Sequence, residues 1–219
     1  MTTTIRFLCL SDLHGNADAL HAVLAMAERR GFTRLLVAGD LCFPGPKALA
    51  TWRLLMATQA TCVQGVGDRA LATINPDAIV ASTPHEQERL DVLRKVRTEL
   101  GDLILARLAQ LPKTVRIPLP NGAEMLLVHG SPRDPTEGIS AELTDEEVLA
   151  MVGDDPADIV VCGATHVPFD RTVAADLRIV NVGSVGEAPG GELAHATIID
   201  VGSTSVDVEQ IAVPYERTT

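Results

Sequence analysis

Five polar, glycine-associated turns follow apolar runs in this chain: Ser11-Asp12-Leu13-His14, Gly39-Asp40, Gly65-Val66-Gly67-Asp68, His129-Gly130 and Gly163-Ala164-Thr165-His166. Carboxylates and imidazoles ligate metals and move protons near neutral pH. Mixed oxygen and nitrogen donors suit a divalent transition metal (Mn, Fe, Co, Ni or Zn) better than Ca or Mg. Each turn alone is weak evidence. Asp-x-His is common by chance, a loop histidine is more often structural, and Asp40 alone reads as a turn cap. The joint pattern is stronger, because His14, His129 and His166, half of the six histidines, all follow apolar runs directly. His21, His85 and His195 lie on helices or inside a strand and are read as structural.

The elements that must position these turns are legible from periodicity. IRFLCL (5–10) and RLLVAGD (34–40) read as buried strands. Between them ADALHAVLAMAERR places Leu20, Val23, Leu24 and Ala27 on one helical face, with Gly31 as its stop. KALATWRLLMAT reads as a second helix and ATCVQG (60–65) as a third strand, so the first half predicts βαβ units. Residues 84–111 predict two helices ending at Pro112. The second half is strand-rich: TVRIPL, a hairpin turn at Asn121-Gly122, EMLLVHG, a helix at TDEEVLAMV, DIVVCGA, RTVAA (171–175), RIVNVGS, HATIIDV and SVDVEQIAV. In open α/β sheets, ligands bind beyond the carboxyl ends of strands, where all five turns fall.

The chain has 219 residues, 46% hydrophobic and 21% charged, enough for a sizeable core in one domain over 1–219. One Trp, one Tyr and four Phe make that core aliphatic. A net charge of −11 argues against a nucleic-acid duplex as partner, which needs a basic field. It does not exclude a small phosphorylated substrate, since a bound cation reverses the sign locally. Cys9, Cys42, Cys62 and Cys162 have no CxxC spacing and read as reduced, packed residues of a cytoplasmic protein. No run reaches membrane-spanning length, and the first apolar run is too short for a signal peptide.

The ordered motifs D-x-H, G-D-x-x-x-x-G, G-N-H-[DE], H-G and G-H-x-H characterise the calcineurin-like metallophosphoesterases. This chain resembles them through Asp12-Leu13-His14, Gly39-Asp40 with Gly45, Gly65-Val66-Gly67-Asp68, His129-Gly130 and Gly163-Ala164-Thr165-His166. The opening Ser-Asp-Leu-His-Gly-Asn, the segment Asn181-Val182-Gly183-Ser184-Val185 and the closing Val213-Pro214-Tyr215-Glu216 extend the resemblance to the bacterial phosphodiesterase branch over nearly the whole chain. It implies an α/β fold, a four-layer αββα sandwich of two mixed β-sheets flanked by helices. It also implies two metals about 3.5 Å apart. One would be held by Asp12, His14, Asp40 and His166. The other would be held by Asp40, His129 and two further residues.

Those two further residues are where the match breaks. The motif-three Asn is Val66, the first His of G-H-x-H is Ala164, and the motif-three His is Gly67. Valine and alanine offer a metal no electron pair, so the resemblance predicts one firm site and a second that is weak or absent. Losing the second ion and the His, each worth roughly 2–4 kcal/mol of transition-state stabilisation, predicts reduced or narrowed phosphoesterase activity. The alternative is a catalytically inactive binding or scaffold protein on the same fold. Asp68 is a candidate to swing in and share catalysis with His129, although in the family this position more often buttresses the turn. Cys42 beside Asp40 is a weaker candidate ligand, and a nuclease-like role is disfavoured by the acidity. Asn16 could present its backbone N–H to a phosphate at a helix start, or simply cap the helix. Among Arg69, Lys113, Arg133 and Arg171, the residues Arg69 and Arg133 are the better expected phosphate contacts.

Overall fold

The computed structural model describes residues 4–154, 157–174 and 176–218. Two five-stranded sheets carry the chain. The first contains β1 (Ile5–Leu10), β2 (Arg34–Val37), β3 (Thr61–Cys62), β9 (Leu193–Val201) and β10 (Val206–Pro214), in the order β10-β9-β1-β2-β3. The second contains β4 (Thr114–Pro118), β5 (Glu124–Val128), β6 (Ile159–Cys162), β7 (Phe169–Val173) and β8 (Leu177–Asn181), in the order β4-β5-β6-β8-β7. Both are mixed. β1-β2-β3 and β5-β6-β8 are parallel, and antiparallel strands lie outside them.

Alternation along the strands explains the layers. Successive side chains on a strand point to opposite faces. Leu8 and Leu10 of β1 enter a core with α1 (Ala17–Arg30), α2 (Ala48–Thr58) and α4 (Pro84–Ala109), while Phe7 and Cys9 enter the core between the sheets. β6 divides likewise: Ile159 and Val161 face the first sheet, and Val160 and Cys162 face α5 (Asp145–Val152). Strands covered on both faces read as unbroken apolar runs, which is why periodicity announced them so clearly. The result is the expected αββα sandwich.

The differences from expectation are local. The third strand is only Thr61–Cys62, because Gln64 N–H turns away to Pro112 O at 2.8 Å and closes the chain onto the loop before β4. The two helices expected over 84–111 are present, run together as α4 and separated at Gly101, whose φ of 73° and ψ of 165° are non-helical. The expected RTVAA strand ends at Val173, and its last residue, Ala175, lies outside the described residues. Among the described residues no helix is long and apolar enough to cross a membrane. All four cysteines are free and buried, and burial pushes the thiols of Cys62 and Cys162 up to about 12, so they pack as apolar groups.

Candidate metal centre

The ends of β1, β2, β5 and β6 are stitched together by backbone hydrogen bonds. Asp12 N–H donates to Gly39 O, His14 N–H to Asp40 O, Gly15 N–H to Leu41 O and Gly163 N–H to His129 O, all at 2.8–3.0 Å. These bonds bring four turns to one point. Among the described residues seven non-glycines have positive φ, and four of them are Asp12, His14, Asp40 and His166 (52°, 47°, 52° and 63°). Such conformations cost roughly 1–3 kcal/mol each and persist where the surroundings over-determine them, commonly at functional sites. Glycines make the close approach possible. A Cβ at Gly65 would lie 2.2 Å from Asp40 Oδ1, and one at Gly163 would lie 2.5 Å from Asp12 Oδ2.

Two clusters result, each with ligand atoms within 4.8 Å of one another: Asp12, His14 and His166, and Asp12, Asp40 and His129. In the first, His14 Nε2 lies 3.1 Å from His166 Nε2 and 3.6 Å from Asp12 Oδ1, and His166 Nε2 lies 3.3 Å from that same oxygen. His14 Nδ1 donates to Phe43 O at 2.6 Å, which leaves the Nε2 lone pair of the neutral ring facing the cluster. In the second, His129 Nδ1 donates to Ala38 O at 2.7 Å and its Nε2 faces Asp40 Oδ2 at 3.7 Å. The other Asp40 oxygen accepts from Gly67 N–H at 2.7 Å.

Asp12 is the residue common to both. Its Oδ2 accepts from Ala164 N–H at 2.9 Å, but its buried Oδ1 has no hydrogen-bond partner. An orphaned buried acceptor costs about 1–3 kcal/mol. Here the orphan points at two imidazole nitrogens, so a cation is the partner that fits all three. Electrostatics agrees. Burial alone would raise the Asp12 carboxyl, but pairing with His166 and the charge of His129 outweigh it and hold the group below the ordinary range. Pairing with Asp12 raises the His166 imidazole against the effect of burial. The Asp40 carboxyl is raised by burial, and the Asp12 charge adds to the shift.

Residues 5–204 match the calcineurin-like phosphoesterase superfamily domain. The chain belongs to the calcineurin-like phosphoesterase superfamily. Solved structures share its fold. Hypothetical protein PH1004 from Pyrococcus horikoshii OT3 has a TM-score of 0.80 and 20% identity over 97% of this chain and 89% of that one. A metallophosphoesterase from Sphaerobacter thermophilus has a TM-score of 0.74 and 22% identity over 98% and 90%. Yfce, a phosphoesterase from E. coli, has a TM-score of 0.51 and 18% identity over 95% and 100%. No curated protein matches the chain.

Within this calcineurin-like fold the structure brings Asp12, His14, Asp40, His129 and His166 together, and corrects other expectations. Asp68 does not swing in. It is fully buried, its two oxygens accept Leu41 N–H at 2.9 Å and Gly65 N–H at 3.0 Å, and it braces the turns after β2 and β3. Asn16 does not offer its N–H to a ligand, because that N–H donates to Leu13 O at 2.9 Å. Its side chain caps α1 by accepting Ala19 N–H at 3.1 Å. Arg133 crosses Gly153 and donates to Ala150 O at 3.1 Å, which makes it a strut for the end of α5. Arg171 is likewise tied to Leu143 O and Asp145. Cys42 Sγ faces Ala48 O at 3.7 Å and is packing. Arg69 is exposed and lines a small recess with Gly65, Val66 and Lys113, beside the turn after β3.

Two contributions were not read from the motifs. Asn181 donates to Gly163 O at 2.8 Å and Thr165 Oγ1 at 2.9 Å, shaping the loop that carries His166. Its signal was its place in the Asn-Val-Gly-Ser-Val segment. Asp12 supplies the second cluster as well as the first, so that cluster has three protein donors where the motifs predicted two.

Proposed function

We propose that this protein is a single-domain, metal-dependent phosphoesterase acting on a small phosphomonoester or phosphodiester. It holds one divalent transition metal firmly at Asp12, His14, Asp40 and His166, and a second weakly at Asp40 and His129, with Asp12 close to both. The carrying observation is Asp12 Oδ1, buried without a hydrogen bond and 3.3 and 3.6 Å from two imidazole nitrogens. A bound ion supplies a Lewis acid for phosphoryl oxygens and lowers the pKa of water to a useful value.

The chain's own residues divide the remaining work. His129, oriented by Ala38 O, presents its free Nε2 to the second half of the centre, where it can ligate or orient a phosphoryl oxygen. Arg69, exposed beside the Gly65–Asp68 turn, is the side chain proposed to reach the phosphate with a charge-assisted contact. A cleft of about 600 Å³ begins at His14 and is bounded by Lys47, Gly186 and Arg217, enough room for the organic part of a small substrate. Val66 stands 45% exposed at the position of the asparagine in the G-N-H-[DE] motif, so the second ion lacks that donor.

The test is reconstitution of metal-free protein with Mn, Fe, Co, Ni or Zn, followed by assay on aryl phosphodiesters, phosphomonoesters and 2′,3′-cyclic nucleotides. Ion-dependent turnover of at least one class is expected. Absence of turnover with every ion would overturn the enzyme reading in favour of the scaffold alternative.

A further inference from the structure

The cleft that begins at His14 has fixed walls and one unmatched charge. Its walls are the Pro44-Gly45-Pro46 loop, the loop after β8 at Gly186, and Arg217 with Thr218 beyond β10. The first two are seated on the strand end that carries His14. A Cβ at Gly45 would lie 1.5 Å from His14 O, and one at Gly186 would lie 2.1 Å from Leu13 O. At about 600 Å³ the cleft falls within the range of about 300–1,000 Å³ typical of small-molecule sites.

The third wall is pinned on both sides of Arg217. Before it, Tyr215 Oη accepts from Asn16 Nδ2 at 2.9 Å, and Asn16 is itself held as the cap of α1. After it, Thr218 N–H donates to Asp18 Oδ2 at 2.9 Å and Thr218 Oγ1 to Asp18 Oδ1 at 3.0 Å. Lys47 Nζ closes the arrangement by donating to both Asp18 oxygens, at 3.0 and 2.8 Å, and to Thr218 O at 2.9 Å. The main chain at Arg217 therefore has little freedom, and its exposed side chain lines the cleft.

The charges of the cleft then sort themselves. Lys47 is matched by Asp18, and Glu187 Oε2 lies 3.6 Å from His14 Nε2, at the metal end. Arg217 has no carboxylate partner among the described residues, and its guanidinium reaches only Tyr215 Oη, at 3.5 Å. In a chain of net charge −11, that leaves one unpaired guanidinium in the same cleft as a metal ligand. Its planar fork of N–H donors suits phosphate or carboxylate.

We propose that Arg217 recognises a second anionic group, phosphate or carboxylate, on the organic half of the substrate, so that esters with two separated anions are preferred. The proposal rests on the phosphoesterase reading above and deepens it. The scissile phosphate takes the His14 end of the cleft and the second anion takes the Arg217 end. Because both ends are pinned, the preference depends on the length of the organic half.

Kinetics of metal-reconstituted protein test this with p-nitrophenyl alkyl phosphodiesters and alkyl phosphomonoesters of graded chain length, each ending in a hydroxyl, a carboxylate or a phosphate. The readout is kcat/KM for the anion-ended ester divided by that for the hydroxyl-ended ester of equal length. Wild type should reach a ratio of about tenfold at its best length, as a hydrogen bond to a charged group supplies. Added salt should lower it. Arg217→Gln should bring the ratio close to one and Arg217→Lys should keep part of it. Arg53→Gln, on the exposed face of α2, controls for net charge and should keep the wild-type ratio. Whichever anion gives the larger ratio is the group Arg217 takes. A wild-type ratio near one at every length, a ratio that survives Arg217→Gln, or one that falls as far in Arg53→Gln overturns the Arg217 assignment while the phosphoesterase stands. Absence of turnover with every ester removes the phosphoesterase reading and the assignment with it.

Discussion

The two halves of the centre share Asp12 and differ in access and in the donors beside them. The first reaches solvent at one side: Asp12 and His14 are buried and main-chain bonded to Ala164 N–H and Phe43 O, whereas His166 is partly exposed. The second is buried and held by backbone: Asp40 by Gly67 N–H, His129 by Ala38 O, and Asp68 bracing both turns. Its donor positions Val66 and Ala164 are apolar, while the frame that would present donors there is kept. Gly65, Gly67 and Asp68 still form the start of α3 (Val66–Thr73), and Ala164 N–H still supports Asp12. Loss of a ligand side chain need not loosen the turn that carried it, because the turn's geometry depends on glycine and main-chain hydrogen bonds.

The largest effect that would test this contrast comes from the shared residue. Asp12→Asn removes a negative donor from both halves at once. Uptake of either ion should fall beyond detection in micromolar titrations, and turnover should drop at least about 10³-fold, as for loss of a major electrostatic group. His129→Ala should separate the halves, leaving first-ion affinity near wild type while abolishing the second binding event. Equal loss of both events in His129→Ala would merge the two halves into one site and remove the comparison.

Restoration is the next largest. Val66→Asn with Ala164→His returns two donors to positions whose backbone is already placed. Ala164 has a φ of 66°, a left-handed conformation histidine tolerates better than most residues, as His14 and His166 demonstrate at 47° and 63°. The double variant should bind two ions per chain and gain about 10²- to 10³-fold in turnover. Metal analysis and initial rates check it. Two firm ions in wild type would contradict the inequality of the halves from the other side.

How much of this was legible in the sequence follows the same division. Strand ends announced themselves because runs such as IRFLCL are buried on both faces, and the donors that follow them are few and distinctive in type. Interactions made by main chain were hidden. Asp68 looked like a spare ligand because nothing local shows that Leu41 and Gly65 N–H groups occupy both its oxygens. For Asn16 the sequence left helix cap and phosphate contact open, and the cap is the role it takes. Arg133 looked like a phosphate contact because charge is visible in sequence and side-chain direction is not. Glu187 was invisible as a neighbour of His14 because the loop carrying it is docked by hydrogen bonds to residues more than 170 positions earlier.

The smallest effect concerns Asp68, and it is read in stability. Burial pushes its carboxyl from 3.8 up to about 6, with the charge of Asp40 adding to the shift. An acid with a higher pKa folded than unfolded keeps its proton in the folded protein after the unfolded chain has lost it. Its contribution therefore favours folding most below about pH 4, and that advantage declines as pH rises to about 6. The total is about 3 kcal/mol from this group in metal-free protein. Asp68→Asn cannot titrate, and it offers one oxygen to two N–H donors, at a cost of about 1–3 kcal/mol that does not vary with pH. Urea unfolding from pH 4 to 7 should show wild type the more stable at pH 4, with the gap closing as pH rises. A gap that stays constant would mean that Asp68 is ionised throughout, a fixed anionic brace whose two N–H bonds outweigh its burial.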